Sequence, residues 1–411
     1  MRVIELLPGR AERPLPEILG RLDAAPALMP FEPAALELLG DVSRRLLAAR
    51  DLVRAADVSA LSQWLRPAQL TRLAERYPPL PPGQLRVPAG LVFQLPPAHL
   101  DVMFAYGWAA GLLGGNRQIL RLSRRRGEHA ERVLALIGEA LAAAPRIAAG
   151  TTFVEYEHDD AITAAISARI DQRLLWGSDA SVAALRAVPL APAAREIVFP
   201  DRTGLALLSA PAVEALDPAA LANLAGRLYA DVLSFDQKAC SSPRHLVWIG
   251  PAERATKAEA KLMAAMRTEL ARRDHQIAPA MALANYATAC RAAVRAAEAA
   301  PVRAIERRRL DWVLVDLGDG PIKSPAVPHP GGGLLYRGRV ESVAQVAPIV
   351  DRRVQTLTHF GLDPVELDAL ARSLAGRGID RMVPLGEALG FDIVWDGLDL
   401  IETLTRRVTL R

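Results

Sequence analysis

The stretch SFDQKACSSPRH, residues 234–245, places one of only two cysteines in a loop of polar and small residues. A thiol kept merely to fill a core sits among apolar side chains, which raise its pKa; Asp236, Gln237, Lys238, Ser241 and Ser242 make the opposite environment. Lys238, Arg244 and His245 are near in sequence, and positive charge beside a thiol favours the nucleophilic thiolate. The chemistry these residue types suggest is covalent catalysis through Cys240. Cys290, in the helical run NYATACRAAV, reads instead as a small buried hydrophobe. Two cysteines are too few for a disulfide framework and lack metal-ligand spacing, so single thiols and no metal are expected.

The elements that must hold this loop lie on either side of it. Upstream, Asp217 can cap a helix and Pro218 suits its first turn; Leu221, Leu224, Leu228, Val232 and Phe235 then form one apolar stripe. Downstream, HLVWIG (245–250) reads as a buried strand, which makes DQKACSSP a helix-to-strand loop. From about residue 86, GLVFQL, RQILRLS, TTFVEYE, QRLLWG and REIVFP alternate with helical segments. That alternation predicts an α/β fold with a doubly wound parallel sheet, covered on both faces and binding ligands at the carboxyl ends of its strands. Ahead of it, residues 33–77 carry apolar residues at helical spacing and predict an N-terminal helical region, closed by PPLPPG at 78–83. After the cysteine loop come polar helices (about 252–309), the strand WVLVDL and the loop KSPAVPHPGGG. Gly331–Gly333 does not follow a strand and open a helix, so it reads as a flexible active-site or hairpin loop rather than a phosphate cradle.

With 411 residues the chain exceeds the size at which one core keeps growing, and two domains are expected. The content of 51% hydrophobic and 23% charged residues fits a soluble globular protein. Its net charge of +4 is interspersed rather than clustered, which argues against a nucleic-acid partner; RLSRRR at 121–126 is the local exception. No apolar run of membrane-spanning length occurs, and Glu5, Pro8 and Arg10 interrupt the N-terminal apolar patch, so a cytoplasmic location is expected.

DQKACSSP resembles the Asp-Gln-x-Ala-Cys-Ser-Ser-Pro signature of the acyl-CoA reductases of bacterial bioluminescence (LuxC type), within the aldehyde dehydrogenase superfamily. Four further segments agree in the same order over roughly residues 90 to 411: LLGGNRQILRLSRR, LLWGSDASVAALRAVPL, HPGGGLLY, and GIDRMVPLGEAL with WDG. The resemblance implies an aldehyde dehydrogenase-like fold. A cofactor domain (1–197, rejoined by 395–411) is followed by an α/β catalytic domain (198–394) carrying the nucleophile.

It also implies NADPH-dependent reduction of an acyl thioester to an aldehyde through an acyl group on Cys240, with Gln237, beside it in the motif, as a further catalytic residue. Where the superfamily places an oxyanion-binding Asn, LPPAHLD offers His99. Hydrolytic relatives use a Glu as base for water; Val198 to Arg202 supply none, although Glu196 is close. Cofactor contacts are expected from Gly115, Asn116, Arg121 and Ser123, and from Trp176, Gly177 and Ser178 before a helix whose N–H groups suit a pyrophosphate. Gly114–Gly115 also fits a plain glycine helix cap, and Arg124–Arg126 a solvated face. A guanidinium at Arg121 favours NADPH through bidentate contact with a 2'-phosphate. The expected partners are acyl-CoA or an acylated protein donor, an acyl-protein synthetase or acyl carrier protein, and further copies of the chain, paired through strands near LRVPAGLVF and TRRVTLR. Two alternatives remain: the reverse reaction, forming a thioester from an aldehyde, and a non-catalytic acyl-holding subunit.

Overall fold

The computed structural model describes residues 1–97, 100–296, 302, 304–307, 312–323 and 327–411. These residues form two compact units, Met1–Asp201 with Phe391–Arg411, and Arg202–Gly390. Among the described residues no helix is long and apolar enough to cross a membrane.

The first unit contains β1 (Arg2–Leu7), β2 (Ala11–Pro14), β3 (Gln84–Pro88), β4 (Leu91–Leu95), β5 (Arg117–Arg121), β6 (Thr151–Glu155), β7 (Gln172–Trp176) and β8 (Arg195–Phe199). Seven of these make one sheet in the order β2-β1-β6-β5-β4-β7-β8. Strands β4 to β8 are mutually parallel, while β1 runs antiparallel to β6 and β2. The five residues of β4 are all buried, as expected for a central parallel strand covered on both faces. The helix Met103–Leu113 lies against this strand with every residue buried. Gly107 and Gly111 make that approach possible, because a Cβ at either would sit 2.4 Å from Gln94 Oε1 or 2.1 Å from Gln118 Oε1. Helices Pro33–Ala48, Ala56–Trp64 and Pro67–Glu75 occupy the region expected to be helical. The first residues of the chain, which carried no strand expectation, form β1 and β2 at the edge of the sheet.

The second unit carries β9 (Thr203–Ser209), β10 (Pro243–Ile249), β11 (Ala304–Arg307), β12 (Val313–Asp319), β13 (Leu334–Val340), β14 (Val354–Phe360) and β15 (Arg381–Pro384). Their order is β11-β12-β13-β10-β9-β14-β15, parallel except for the antiparallel edge strand β11. One face is covered by Leu224, Leu228 and Val232 of the helix Pro218–Leu233 and by Leu262 and Met266 of the helix Ala252–Arg272. The helical expectation for 252–309 therefore stops short: helices Ala252–Arg272 and Pro279–Ala296 are followed by strand β11. Cys290 also departs from expectation. On the helix Pro279–Ala296 the small residues Ala282, Ala289 and Ala292 face inward, and Cys290 is exposed.

The last residues return to the first unit as β16 (Val394–Trp395), β17 (Leu398–Asp399) and β18 (Thr405–Thr409). Asp396 and Gly397, both at positive φ, make the tight turn between β16 and β17. Strands β18 and β3, expected to reach a second subunit, pair with each other in antiparallel register from Thr405↔Pro88 to Thr409↔Gln84.

Candidate active site

The helix Pro218–Leu233 is capped as its sequence predicts, with the Asp217 carboxylate accepting from the Ala220 N–H at 2.8 Å. Beyond it the backbone turns sharply. Phe235, Asp236 and Gln237 all adopt left-handed conformations, with φ of 55°, 51° and 58°. Each such non-glycine residue costs about 1–2 kcal/mol, so three in succession persist only where the surroundings hold them.

Those surroundings are the Gly331–Gly333 loop. The Gly332 N–H donates to Asp236 O at 2.7 Å, and a Cβ on Gly331 would sit 2.2 Å from that same oxygen. Gln237 is fully buried. Its Nε2 donates to Pro243 O (2.8 Å) and Leu334 O (2.9 Å), and its Oε1 accepts from Gly333 N (3.0 Å). Both amide donors and the acceptor of Gln237, expected to be catalytic, are thus committed to backbone, and the side chain braces the turn. The expectation of a flexible glycine loop is corrected, since the loop is bonded to the turn at two points.

Cys240 follows this turn, half-buried and in no disulfide. Ser241, Ser242 and Pro243 behind it are buried and press on Gly204 at the start of β9, where a Cβ would come within 2.2 Å of Ser241 O. The Gly204 N–H donates to Ser242 O at 3.0 Å. The cysteine therefore lies at the amino end of β10, and small residues on both sides bring the loop against the sheet.

Of the basic neighbours, Lys238 is exposed and paired with Asp236 at 3.2 Å. Burial pushes the His245 imidazole down to about 4, so it is neutral near pH 7, and its Nε2 lies beside Gly338. It brings no positive charge to the thiol, contrary to the reading from sequence proximity. Burial and the Arg244 guanidinium hold His329 at about 3; its Nδ1 accepts from Gly331 N and its Nε2 donates to Leu334 O.

A buried carboxylate that sequence reasoning missed ties the same helix to the GIDRMVPLGEAL segment. Asp231 accepts from Gly386 N (2.6 Å) and Ala388 N (2.9 Å), and burial pushes its carboxyl up to about 6 despite those two donors. Above pH 6 the ionised group carries its full desolvation cost. As pH falls from 6 towards 4 the folded chain takes up this proton before the unfolded chain does, which stabilises the fold by at most about 3 kcal/mol. Thermal midpoints measured from pH 7 to pH 4 are expected to show this gain in the wild type and not in Asp231→Asn. Parallel curves for the two proteins contradict it.

In the first unit the chain runs from β4 to β5 and β6 on one side, then returns to β7 on the other, so the topological switch point lies between β4 and β7. Arg121 and Ser123 end β5, and Gly177 and Ser178 follow β7; both pairs are at carboxyl ends next to β4. Arg121 Nη2 donates to Tyr156 O and its guanidinium lies 4.7 Å from that ring centroid, leaving a buried Nε with no hydrogen-bond partner. Ser123 Oγ accepts from Arg125 N, and Ser178 Oγ caps the helix Asp179–Arg186 by accepting from Ser181 N. Arg124 and Arg126 are paired with Glu155, Glu157 and Glu131, so that part of the basic run is largely neutralised.

Three residues expected at the cofactor lie elsewhere. Gly115 and Asn116 precede β5 and so lie at the amino end of the sheet, opposite the ligand-binding edge. The buried Asn116 side chain joins Gly90 N, Gly111 O and Leu404 O, and a Cβ on Gly115 would meet Leu28 O at 2.8 Å. The turn is a structural junction. Trp176 is stacked on Phe199 at 3.8 Å and edge-on to Tyr106 and Trp395, which makes its ring part of the core. His99 lies outside the described residues. Glu196 is held in ion pairs by Arg173 and Arg186.

The fold is that of the aldehyde dehydrogenases. An indole-3-acetaldehyde dehydrogenase in complex with NAD+ superposes with a TM-score of 0.67 at 14% identity, covering 100% of this chain and 93% of that one. Methylmalonate-semialdehyde dehydrogenase from Oceanimonas doudoroffii gives 0.68 at 13% identity, with 96% and 89% covered. The aldehyde dehydrogenase KauB from Pseudomonas aeruginosa gives 0.64 at 14%, with 99% and 93% covered. The search of curated proteins returned no match to this sequence. The acyl-CoA reductase (LuxC) family model matches residues 60–407, and the chain is a member of that family of aldehyde-related oxidoreductases.

Proposed function

We propose that the protein reduces an acyl thioester to an aldehyde through an acyl group held on Cys240. The observation that carries this reading is the placement of Cys240: half-buried, directly after a strained and clamped turn, in a chain of the acyl-CoA reductase family. The thiolate forms a bond to the thioester carbonyl carbon, and the donor's carbon–sulfur bond breaks to release its own thiolate. One thioester replaces another, so the transfer is close to thermoneutral, and the acyl group becomes a tethered reactant. A reduced nicotinamide, when bound, supplies the hydride that converts this acyl group to the aldehyde, restoring the Cys240 thiolate.

The tetrahedral species on this path require donors to a negative oxygen, a role assigned to the Cys240 backbone N–H with His99 in support. The first unit is the cofactor unit and the second the catalytic one. Arg121, Ser123, Gly177 and Ser178 fit the cofactor: they lie at the carboxyl ends of the two strands that flank β4, and the unpartnered Arg121 Nε suits a phosphate or ribose oxygen. That donor set favours NADPH. The stretch Val198 to Arg202, where hydrolytic relatives carry a general-base Glu, supplies none, which supports transfer over hydrolysis. The acyl donor is acyl-CoA or an acylated carrier or synthetase protein.

Intact-mass measurement after mixing with a panel of acyl-CoAs tests this directly. The expected result is a single acyl adduct, mapped to Cys240 rather than Cys290, that NADPH discharges as aldehyde faster than NADH does. An adduct on Cys290 alone, or none with any chain length, overturns the proposal.

A further inference from the structure

The thiol at position 240 is oriented by a turn that is unfavourable in isolation, so whatever holds the glycine loop also governs the nucleophile. That loop is gripped from its other side by the helix Pro279–Ala296. Met281 packs so closely that a Cβ on Gly332 would lie 2.4 Å from its Cγ. One turn further along, the fully buried Asn285 donates from Nδ2 to Gly332 O at 2.5 Å. Gly332 is thereby held at both ends of its backbone: its carbonyl by Asn285 and its N–H by Asp236 O at 2.7 Å. Neighbouring Gly333 donates to Gln237, completing a hydrogen-bonded path from the helix to the turn that precedes the sulfur.

We infer that Asn285 is a positioning residue for Cys240, acting through the Gly332 carbonyl to keep the left-handed turn in its reactive conformation. The inference rests on the reading of Cys240 as the acyl-accepting group. Without the Nδ2 donor, Gly332 O is a buried acceptor with one partner fewer, and the loop relieves this by moving toward another donor. Movement of Gly332 releases Asp236 O, and Phe235 to Gln237 can then relax from left-handed geometry. The rest of the helix still packs through Ala289 and Ala292 against β12 and β13 residues, so the fold does not depend on this amide alone.

Asn285→Ala, Asn285→Leu and Asn285→Ser separate the donor from the space it fills: serine keeps a donor, whereas leucine keeps a similar volume and offers none. Each variant is alkylated with iodoacetamide across pH 6 to 9 and read peptide by peptide, with exposed Cys290 as the internal reference in the same molecules. The expected order of Cys240 reactivity is wild type, then Ser, then Ala and Leu, with a loss of about tenfold in the last two and a displaced pH profile. Cys290 stays constant throughout. Acylation by acyl-CoA is expected to slow in the same order, with kcat falling more than KM rises. Equal Cys240 reactivity across the set, or Cys240 and Cys290 changing together, overturns the inference. If the wild type accepts no acyl group, the functional reading fails, while the alkylation comparison still decides whether Asn285 controls the thiol.

Discussion

Cys240→Ser is expected to fold like the wild type and to lose thioester reduction by about 1,000-fold or more. A serine hydroxyl, unlike a thiolate, needs a general base to become a nucleophile, and neither His245 nor His329 suits that role. His245, further along the same loop and strand, is buried with its imidazole pushed down to about 4, which makes it a weak base, and its Nε2 lies against Gly338. His329 has both ring nitrogens committed to backbone groups. Transfer to serine would also exchange a thioester for an ester, and the near-balance of the first step would be lost. Absorbance of NADPH under single-turnover conditions with an acyl-CoA measures the loss, and a melting midpoint within about 2 °C of wild type confirms that the fold survives. A variant retaining more than about a tenth of the rate removes Cys240 from the chemistry.

Gly331→Ala is expected to act on the same sulfur from a distance, lowering turnover by about 100-fold, the scale associated with a displacement of roughly 1 Å at a reacting group. The added methyl meets backbone, not a side chain that could swing away: Asp236 O would be 2.2 Å from it. Gly331 also has φ of +88°, where an alanine adds about 1–2 kcal/mol of strain. Gly376→Ala separates the two effects. Gly376 has φ of +78° but nothing within 4 Å of where an added methyl would sit, so this variant is expected to lose stability alone and to keep its turnover. If Gly331→Ala and Gly376→Ala lose the same stability and neither loses activity, the clamp does not govern the cysteine.

The sequence discloses the sheets and the nucleophile loop because their signals are local. Strands β4 to β8 and β10 appear as short apolar runs, and Asp217-Pro218 marks the start of the helix that ends at the cysteine turn. The destinations of amide side chains are not local. Asn116 and Gln237 look like site residues in their motifs, yet each spends its amide on backbone groups, one of them nearby and others in segments far away in sequence. The position of Asn116 is nonetheless readable from direction alone, since a turn leading from a helix into a parallel strand enters at the amino end. Cys290 illustrates a different difficulty. Alanine fills both faces of the helix Pro279–Ala296, so apolar periodicity there does not say which face is inward. Three glycines in a row, Gly331–Gly333, suggest mobility in a sequence because glycine permits it; in the structure they permit contact.

The clamp joins Gln237 to Gly333 across 96 residues of chain. During synthesis the cysteine therefore emerges long before the segment that shapes its turn, and until then Phe235 to Gln237 relax to ordinary backbone geometry. If Cys240 accepts the acyl group as proposed, its reactive setting forms only when β13 and the loop before it join the sheet. On that reading, chemical competence at this position is a late event of folding, coupled to completion of the second unit, and an incomplete chain would not present a prematurely activated sulfur to oxidants or acyl donors.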